Sequence, residues 1–284
     1  MTKKNITINS KLSTVSVLSC LLVFVFLTNC NPDETQKVAN FNNLVMQDEF
    51  EVDGAPNAAM WTYDIGDGTA EGIPGWGNNE LQYYTDRPEN VIVEDGVLKI
   101  IARQESFEGS GYTSARIKTE GLFQQQYGRF EARIKLPWGQ GMWPAFWMLG
   151  DDDGGTVSWP QRGEIDIMEN RGSEPTLING TVHGPGYSGG QSITKAFELD
   201  NDRFDTGFHI FGIEWNEGYI NFYVDDVLYN QITPADVPGE WVFDDEFFII
   251  MNVAVGGNYG GPPNANTVFP QTMEVDYVRV YSAN

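Results

Sequence analysis

Gly128-Arg-Phe-Glu-Ala-Arg-Ile-Lys-Leu136 alternates apolar and charged residues along its whole length. A period of two is the mark of a strand with one face buried and one face wet. The same texture of short apolar runs and turn residues continues from about Phe41 onward. Val91-Ile-Val and Val97-Leu-Lys-Ile-Ile flank Glu94-Asp95-Gly96, which predicts a hairpin through a glycine turn. Further strands are predicted at 163–170, 177–183, 208–215, 219–224, 247–253 and 273–281. No stretch of about 12 residues or more carries a helical period. With 31 glycines and 14 prolines to supply the turns, the pattern predicts an all-β fold of two packed antiparallel sheets.

Of the 284 residues, the first 29 read as a targeting segment. Lys3, Lys4 and Lys11 make a basic start, and an apolar run follows over 15–27. About 13 residues is too short for a membrane-spanning helix but suits a signal-peptide core. The run ends in Leu27-Thr-Asn-Cys30, which resembles the lipobox of bacterial lipoproteins, although Asn29 departs from the small residue usual before the cysteine. The division expected is a lipoprotein signal peptide over 1–29, a polar tether over 30–40 and one domain over 41–284. Cys20 leaves with the signal, and Cys30 takes a lipid that holds the protein at a membrane surface. The implied location is a bacterial outer membrane or cell surface. Ordinary secretion with a free Cys30 thiol is the alternative. Either way the exported domain has no disulfide, and its roughly 240 residues are enough to bury a large core without one.

Loss of the three lysines would take the formal net charge from −23 to −26. That field repels phosphate backbones and argues against a nucleic-acid partner. Uncharged polymers are not repelled, and a monomer is expected. Two histidines and no cysteine pair argue against a catalytic zinc site. Neither a phosphate-binding loop nor a nucleophile elbow is present.

Glu164-Ile-Asp-Ile-Met-Glu169 concentrates the chemistry. In a regular strand Glu164 and Asp166 share one face, with Ile165 and Ile167 on the core side. Glu169, five positions from Glu164, would then face the wrong way. One residue absorbed as a β-bulge, for which Met168 is the candidate, restores it to the acidic face. Three clustered acids repel one another, and that raises the pKa of at least one. Glycoside hydrolysis needs such a pair, one acid protonated and one ionised at the same pH. Retaining enzymes hold the pair about 5–5.5 Å apart and inverting ones about 6.5–9.5 Å. Four strand steps span roughly 13 Å between Cα atoms. The glutamates must therefore lean inward, and spacing alone leaves retention and inversion open.

Aromatic and amide residues surround this segment in sequence. Trp138, Trp143, Phe146 and Trp147 precede it, and Trp76 to Tyr84 mixes aromatics with Asn78, Asn79, Glu80 and Gln82. Tryptophan faces suit the apolar faces of sugar rings, and amides suit hydroxyls. His183, in Thr181-Val-His-Gly184, reaches Asp166 or Glu169 if its strand pairs with the acidic one. His209 is assigned to structure.

At these residues the chain resembles glycoside hydrolase family 16, and within it the laminarinase-like subgroup of endo-1,3-β-glucanases. The motifs are Gly163-Glu-Ile-Asp-Ile-Met-Glu169, Trp76 to Tyr84, Met142-Trp-Pro-Ala-Phe-Trp-Met148, Gly180-Thr-Val-His-Gly184 and Asn252-Val-Ala-Val-Gly-Gly-Asn258. The resemblance covers about Phe41 to Tyr281. It implies a β-jelly roll of the concanavalin A-like kind with a concave cleft. It implies retaining cleavage of β-1,3-glucan, with Glu164 as nucleophile, Glu169 as acid/base, and Asp166 and His183 assisting. Trp76, Asn78, Glu80, Arg116, Trp138, Trp143, Trp147 and Asn258 become candidates for substrate contact. No cofactor is implied for catalysis. A structural Ca2+ is implied at Glu49, the Gly96 backbone and Asp276, which offer the oxygen donors calcium requires. Agarose, carrageenan or mixed-linkage glucan as the polymer, and a non-catalytic lectin on the same sandwich, are the alternatives.

Overall fold

A computed structural model describes residues 39–152 and 154–283. The predicted signal segment, Cys30 and the tether before Ala39 lie outside the described residues. The compact unit that carries the fold runs from Val38 to Asn284.

In chain order the strands are β1 (Phe41–Asp48), β2 (Thr62–Asp64), β3 (Gln82–Tyr84), β4 (Val91–Glu94), β5 (Val97–Phe107) and β6 (Ser110–Ser114). They continue as β7 (Arg116–Lys118), β8 (Gly128–Lys135), β9 (Met142–Gly150), β10 (Glu164–Glu169), β11 (Leu177–His183) and β12 (Ile193–Glu198). The last are β13 (His209–Asn216), β14 (Tyr219–Val224), β15 (Val227–Ile232), β16 (Phe247–Val255) and β17 (Gln271–Ala283). One sheet has the order β15-β14-β13-β8-β17-β5-β6-β3, with β1 also on β17 and β4 also on β5. The other is β12-β11-β10-β9-β16-β7-β2. This is the predicted all-β sandwich of jelly-roll type. The hairpin at Gly96 turns on two residues, Asp95 and Gly96, both with positive φ, so β4 keeps Glu94. The only α-helix among the described residues is the four-residue turn α1 (Gly257–Gly260).

Alternation explains which residues fill the space between the sheets. From the ten-stranded sheet come Phe130, Ala132 and Ile134 of β8 and Phe211, Ile213 and Trp215 of β13. Phe146 and Met148 of β9 and Phe247, Ile249 and Met251 of β16 face them. Trp215 joins the layers. Its ring lies 6.1 Å from Phe130 and 5.1 Å from Phe247, and its indole N–H donates to the Phe243 carbonyl at 2.9 Å, so no polar atom is left bare. Each such side chain contributes about 1.5–3 kcal/mol on burial, and several dozen make disulfides unnecessary at this size. β16 is buried at all nine positions. Its alternation disappears because its second face is covered too. Phe248, Ile250, Asn252 and Ala254 lie on that second face, and the polar Asn252 marks it as the side where chemistry occurs.

Candidate active site

β10 runs between β9 and β11, beside the central strand β9 of the seven-stranded sheet. Glu164 pairs with Leu149 and His183, and Asp166 with Trp147 and Thr181. Glu169 pairs with Ala145 on β9 and Asn179 on β11. Ala145 and Trp147 are two apart on β9 and share a face, so Asp166 and Glu169 share it as well. The predicted bulge is therefore present. Its placement differs slightly from expectation. The β9 register slips between Asp166 and Met168, with Met168 opposite Phe146, which leaves Ile167 as the extra residue. Ile167 and Met168 both join the core, and two consecutive inward apolar side chains are what turns Glu169 outward.

Gly163 sets the start of this strand. Its φ is +74°, and a Cβ there would lie 2.9 Å from both the Phe247 ring and the Val242 carbonyl. No larger residue fits that approach.

The three acids differ in setting. Asp166 is 3% exposed, while Glu164 and Glu169 keep part of their surface in the cleft. Burial pushes Glu164 up to about 8, and the Asp166 charge adds to the rise. Burial also raises Asp166 to about 7. It raises Glu169 to about 8, again with Asp166 adding. All three are pushed up mainly by burial, so the cluster resists full ionisation. Fewer than three charges reside on the cluster near neutral pH.

His183 Nε2 lies 3.1 Å from Asp166 Oδ2 and 3.6 Å from Glu164 Oε1. Asp166 Oδ2 has no aligned hydrogen-bond partner, so the His183 contact is a close electrostatic one. The Gly189 N–H donates to His183 Nδ1 at 3.0 Å, which places the proton of a neutral imidazole on Nε2. The ligand atoms of Glu164, Asp166 and His183 lie within 4.8 Å of one another, close enough for a metal. A proton on Nε2 works against coordination there, and the trio serves instead as a donor facing two acceptors. The Trp159 indole is a further donor to Glu164. Glu169 accepts from Trp143 Nε1 at 2.9 Å. The Trp159 donor and the nearby His183 both favour the ionised form of Glu164, and with it the nucleophile's role.

Beyond β9, the cleft floor is a braced network. Arg116 stacks under Trp76 at 4.6 Å and on Tyr84 at 4.7 Å, with Trp147 at 5.6 Å. Glu80 lies 3.5 Å from Arg116 Nη2 and accepts from Gln82, Tyr84 and Asn78. Glu80 and Arg116 are buried. Their polar atoms are engaged mainly with each other and with Tyr84, Gln82 and Asn78, which braces the floor. Trp76 is also mostly buried, and its φ of +51° is unusual for a bulky residue. Asn78 and Asn258 knit two cleft loops: Asn258 N–H donates to the Asn78 carbonyl at 2.7 Å, and Asn79 Nδ2 to Asn258 Oδ1 at 2.8 Å. Gly257 has no room for a side chain, since a Cβ would meet the Trp143 ring at 2.9 Å.

Trp138 does not join this group. Its ring meets the Arg203 guanidinium at 5.5 Å, and its N–H donates to Gln271 of the other sheet. The candidate calcium positions are neighbours by register, since Asp276 follows Val275, which faces Leu98, and Glu49 follows Asp48, which faces Val278. Their donor chemistry fits a hard cation. Their carboxylates, however, are turned to arginines: Glu49 takes two bonds from Arg279, and Asp276 one from Arg133.

Four residues outside the predicted set belong here. Tyr259 packs on Trp143 at 5.2 Å beneath Arg171 and accepts from Asn179 at 2.5 Å. Asn252 accepts from Trp147 Nε1 at 2.8 Å. Trp159 is half exposed beside His183. Asn252 was legible as the one polar residue in an apolar strand. Tyr259 and Asn179 carried no local signal.

Paired carboxylates with raised pKa values, on the floor of a cleft flanked by tryptophans, define a glycan-cleaving enzyme on a β-sandwich. Comparison with known proteins agrees. The sequence profile of the glycosyl hydrolases family 16 matches residues 78–279. A beta-glucanase of Rhodothermus marinus is 42% identical over 92% of this chain and 92% of its own. The laminarinase catalytic domain of Thermotoga maritima superposes with a TM-score of 0.81 at 50% identity, covering 85% of this chain and 98% of that one. The endo-beta-1,3-glucanase of Pyrococcus furiosus gives 0.81 at 50% identity, covering 85% and 94%. The chain belongs to glycosyl hydrolase family 16.

Proposed function

We propose that this protein is a retaining endo-β-1,3-glucanase. The observation that carries the reading is the bulged β10, which sets Glu164 and Glu169 on one face with Asp166 between them. The similarity to laminarinases along most of the chain supports β-1,3-glucan as the polymer. In the first step a Glu164 carboxylate oxygen bonds to the anomeric carbon. The glycosidic bond breaks, and its oxygen takes the proton of Glu169. In the second step Glu169 accepts a proton from water, whose oxygen bonds to the anomeric carbon as the ester to Glu164 breaks. His183 and Trp159 steady the charge on Glu164 before the first step and after the second, when it is a free carboxylate.

Reducing-sugar release is expected on linear β-1,3-glucan, at least tenfold above agarose, carrageenan or mixed-linkage glucan. Proton NMR should show the β-anomer first. Equal or faster release from another polymer would move the assignment, and initial α-anomer would exclude retention.

The proposal extends to the chain's surroundings. Export with a lipid on Cys30 follows from the basic start, apolar run and cysteine of the N-terminal segment, and absence of palmitate label with Cys30 intact would remove it. A structural calcium at Glu49, Gly96 and Asp276 requires the two carboxylates to leave Arg279 and Arg133. A melting temperature indifferent to added calcium and to chelation would dismiss it.

A further inference from the structure

The turn between β8 and β9 holds a feature that the catalytic cleft does not use. Trp138 is 47% exposed and Val268 is 58% exposed. Single exposed apolar side chains are ordinary on a protein surface. These two are tied together. The buried Gln271 accepts from the Trp138 N–H at 3.1 Å and donates to the Val268 carbonyl at 3.0 Å. One amide thus clamps the two backbones next to each other.

The Trp138 ring is also held from one side. Arg203 lies 5.5 Å from its centroid, and Asp205 fixes that guanidinium with bonds of 2.8 and 2.9 Å. The loop after α1 closes in from another side, with Thr267 beside Gly139 and bonded to the Gln140 carbonyl at 2.7 Å. The result is an exposed indole held at a fixed backbone and beside a guanidinium, with Val268 exposed on the backbone that the same amide clamps. An apolar plate with hydrogen-bonding groups at its margin suits a pyranose ring, whose C–H face is apolar and whose hydroxyls lie around its edge. Rigidity lowers the entropy cost of binding.

The plate lies off the catalytic cleft but close to it. Gly139 N–H donates to the Gly172 carbonyl at 2.8 Å, in the loop that follows Glu169. Trp143, which holds Glu169, is five residues from Trp138, so their Cα atoms are within about 18 Å.

We propose that Trp138 and Val268, with Arg203 at the rim, form a second glycan-contact platform outside the catalytic cleft that takes a glucosyl unit of the polymer. The inference rests on the β-glucanase reading above. The unit comes either from a branch on the bound chain or from a neighbouring chain.

The test compares kcat/KM of the full chain on three substrates: a linear β-1,3-linked hexasaccharide, a linear insoluble β-1,3-glucan and a β-1,6-branched β-1,3-glucan. Trp138→Ala is expected to lower the ratio of polymer to hexasaccharide kcat/KM at least fivefold, through KM, with Trp138→Tyr restoring most of it. A fall confined to the branched polymer identifies a branch, and a fall on the linear insoluble polymer identifies a neighbouring chain. Arg203→Gln should lower the same ratio about twofold or more. An unchanged ratio for Trp138→Ala overturns the platform. So does an equal loss on hexasaccharide and polymer, which would place Trp138 in the cleft or report a folding defect. If Trp138→Ala does not fold, Trp138→Tyr and Arg203→Gln decide on the same ratio. Wild-type protein inactive on all three substrates would instead refute the β-glucanase reading.

Discussion

Glu164→Gln is expected to lower kcat on β-1,3-glucan by about 10⁴-fold or more while leaving the fold intact. The amide keeps the shape and the contacts to His183 and Trp159 but has no anionic oxygen to bond to the anomeric carbon. Glu169→Gln should cost about 10²–10⁴-fold, and for that variant azide should restore turnover of an aryl β-glucoside whose leaving group needs no proton. Azide needs no general base, so it can release the glycosyl-enzyme that water cannot, giving a β-glycosyl azide if the mechanism is retaining. Wild-type kcat/KM should fall on the alkaline side as Glu169 loses its proton, and Glu169→Gln should lack that limb. Activity within tenfold of wild type in Glu164→Gln would end the assigned chemistry.

The same carboxylates should destabilise the protein as pH rises. Glu164, Asp166 and Glu169 titrate at about 8, 7 and 8 in the fold, against about 4 in an unfolded chain. Below about pH 4 both states hold these protons and the cluster contributes no pH dependence. Between about pH 4 and 8 the unfolded chain releases protons that the folded site retains, so stability falls with rising pH. Removing one carboxylate should relieve on the order of 2–4 kcal/mol at pH 8. Calorimetry should then place Glu169→Gln about 5–10 °C above wild type at pH 8, with the gap closing near pH 4. A variant melting at or below wild type at pH 8 would show that the acids are not held at raised pKa values. This is the familiar conflict between a poised site and a stable fold.

Much of the site could be read from one dimension. The acids of β10 lie on a strand whose alternation declares their face, so the need for a bulge followed from counting; Trp143 and Trp147 were marked by their density before that strand and by the family resemblance. What the count did not reveal was depth. Glu80 and Arg116 were candidates through the family resemblance, and their burial was not legible in the sequence. Each is buried because the other, with Tyr84 and Gln82, satisfies it. Trp138 looked like part of the tryptophan cluster, but the turn before β9 carries it to the edge shared with the other sheet. Tyr259 and Asn179 meet only because the fold brings α1 within reach of β11, across 80 residues of chain. Glu49 and Asp276 were legible as oxygen donors, whereas Arg279 and Arg133, which hold them, are neighbours only in three dimensions.

The extra residue in β10 gives this site a rule of parity. A strand keeps account of its side chains modulo two, and the stretch from Glu164 to Glu169 holds an odd number of steps that the bulge makes even. A single deletion between the glutamates would leave four steps and a single insertion six; both are even, so either restores the facing in a plain strand without a bulge. Length variants of this segment should therefore sort by odd and even before they sort by which amino acids they contain, and the identity of Ile167 or Met168 matters less than the fact that both are there.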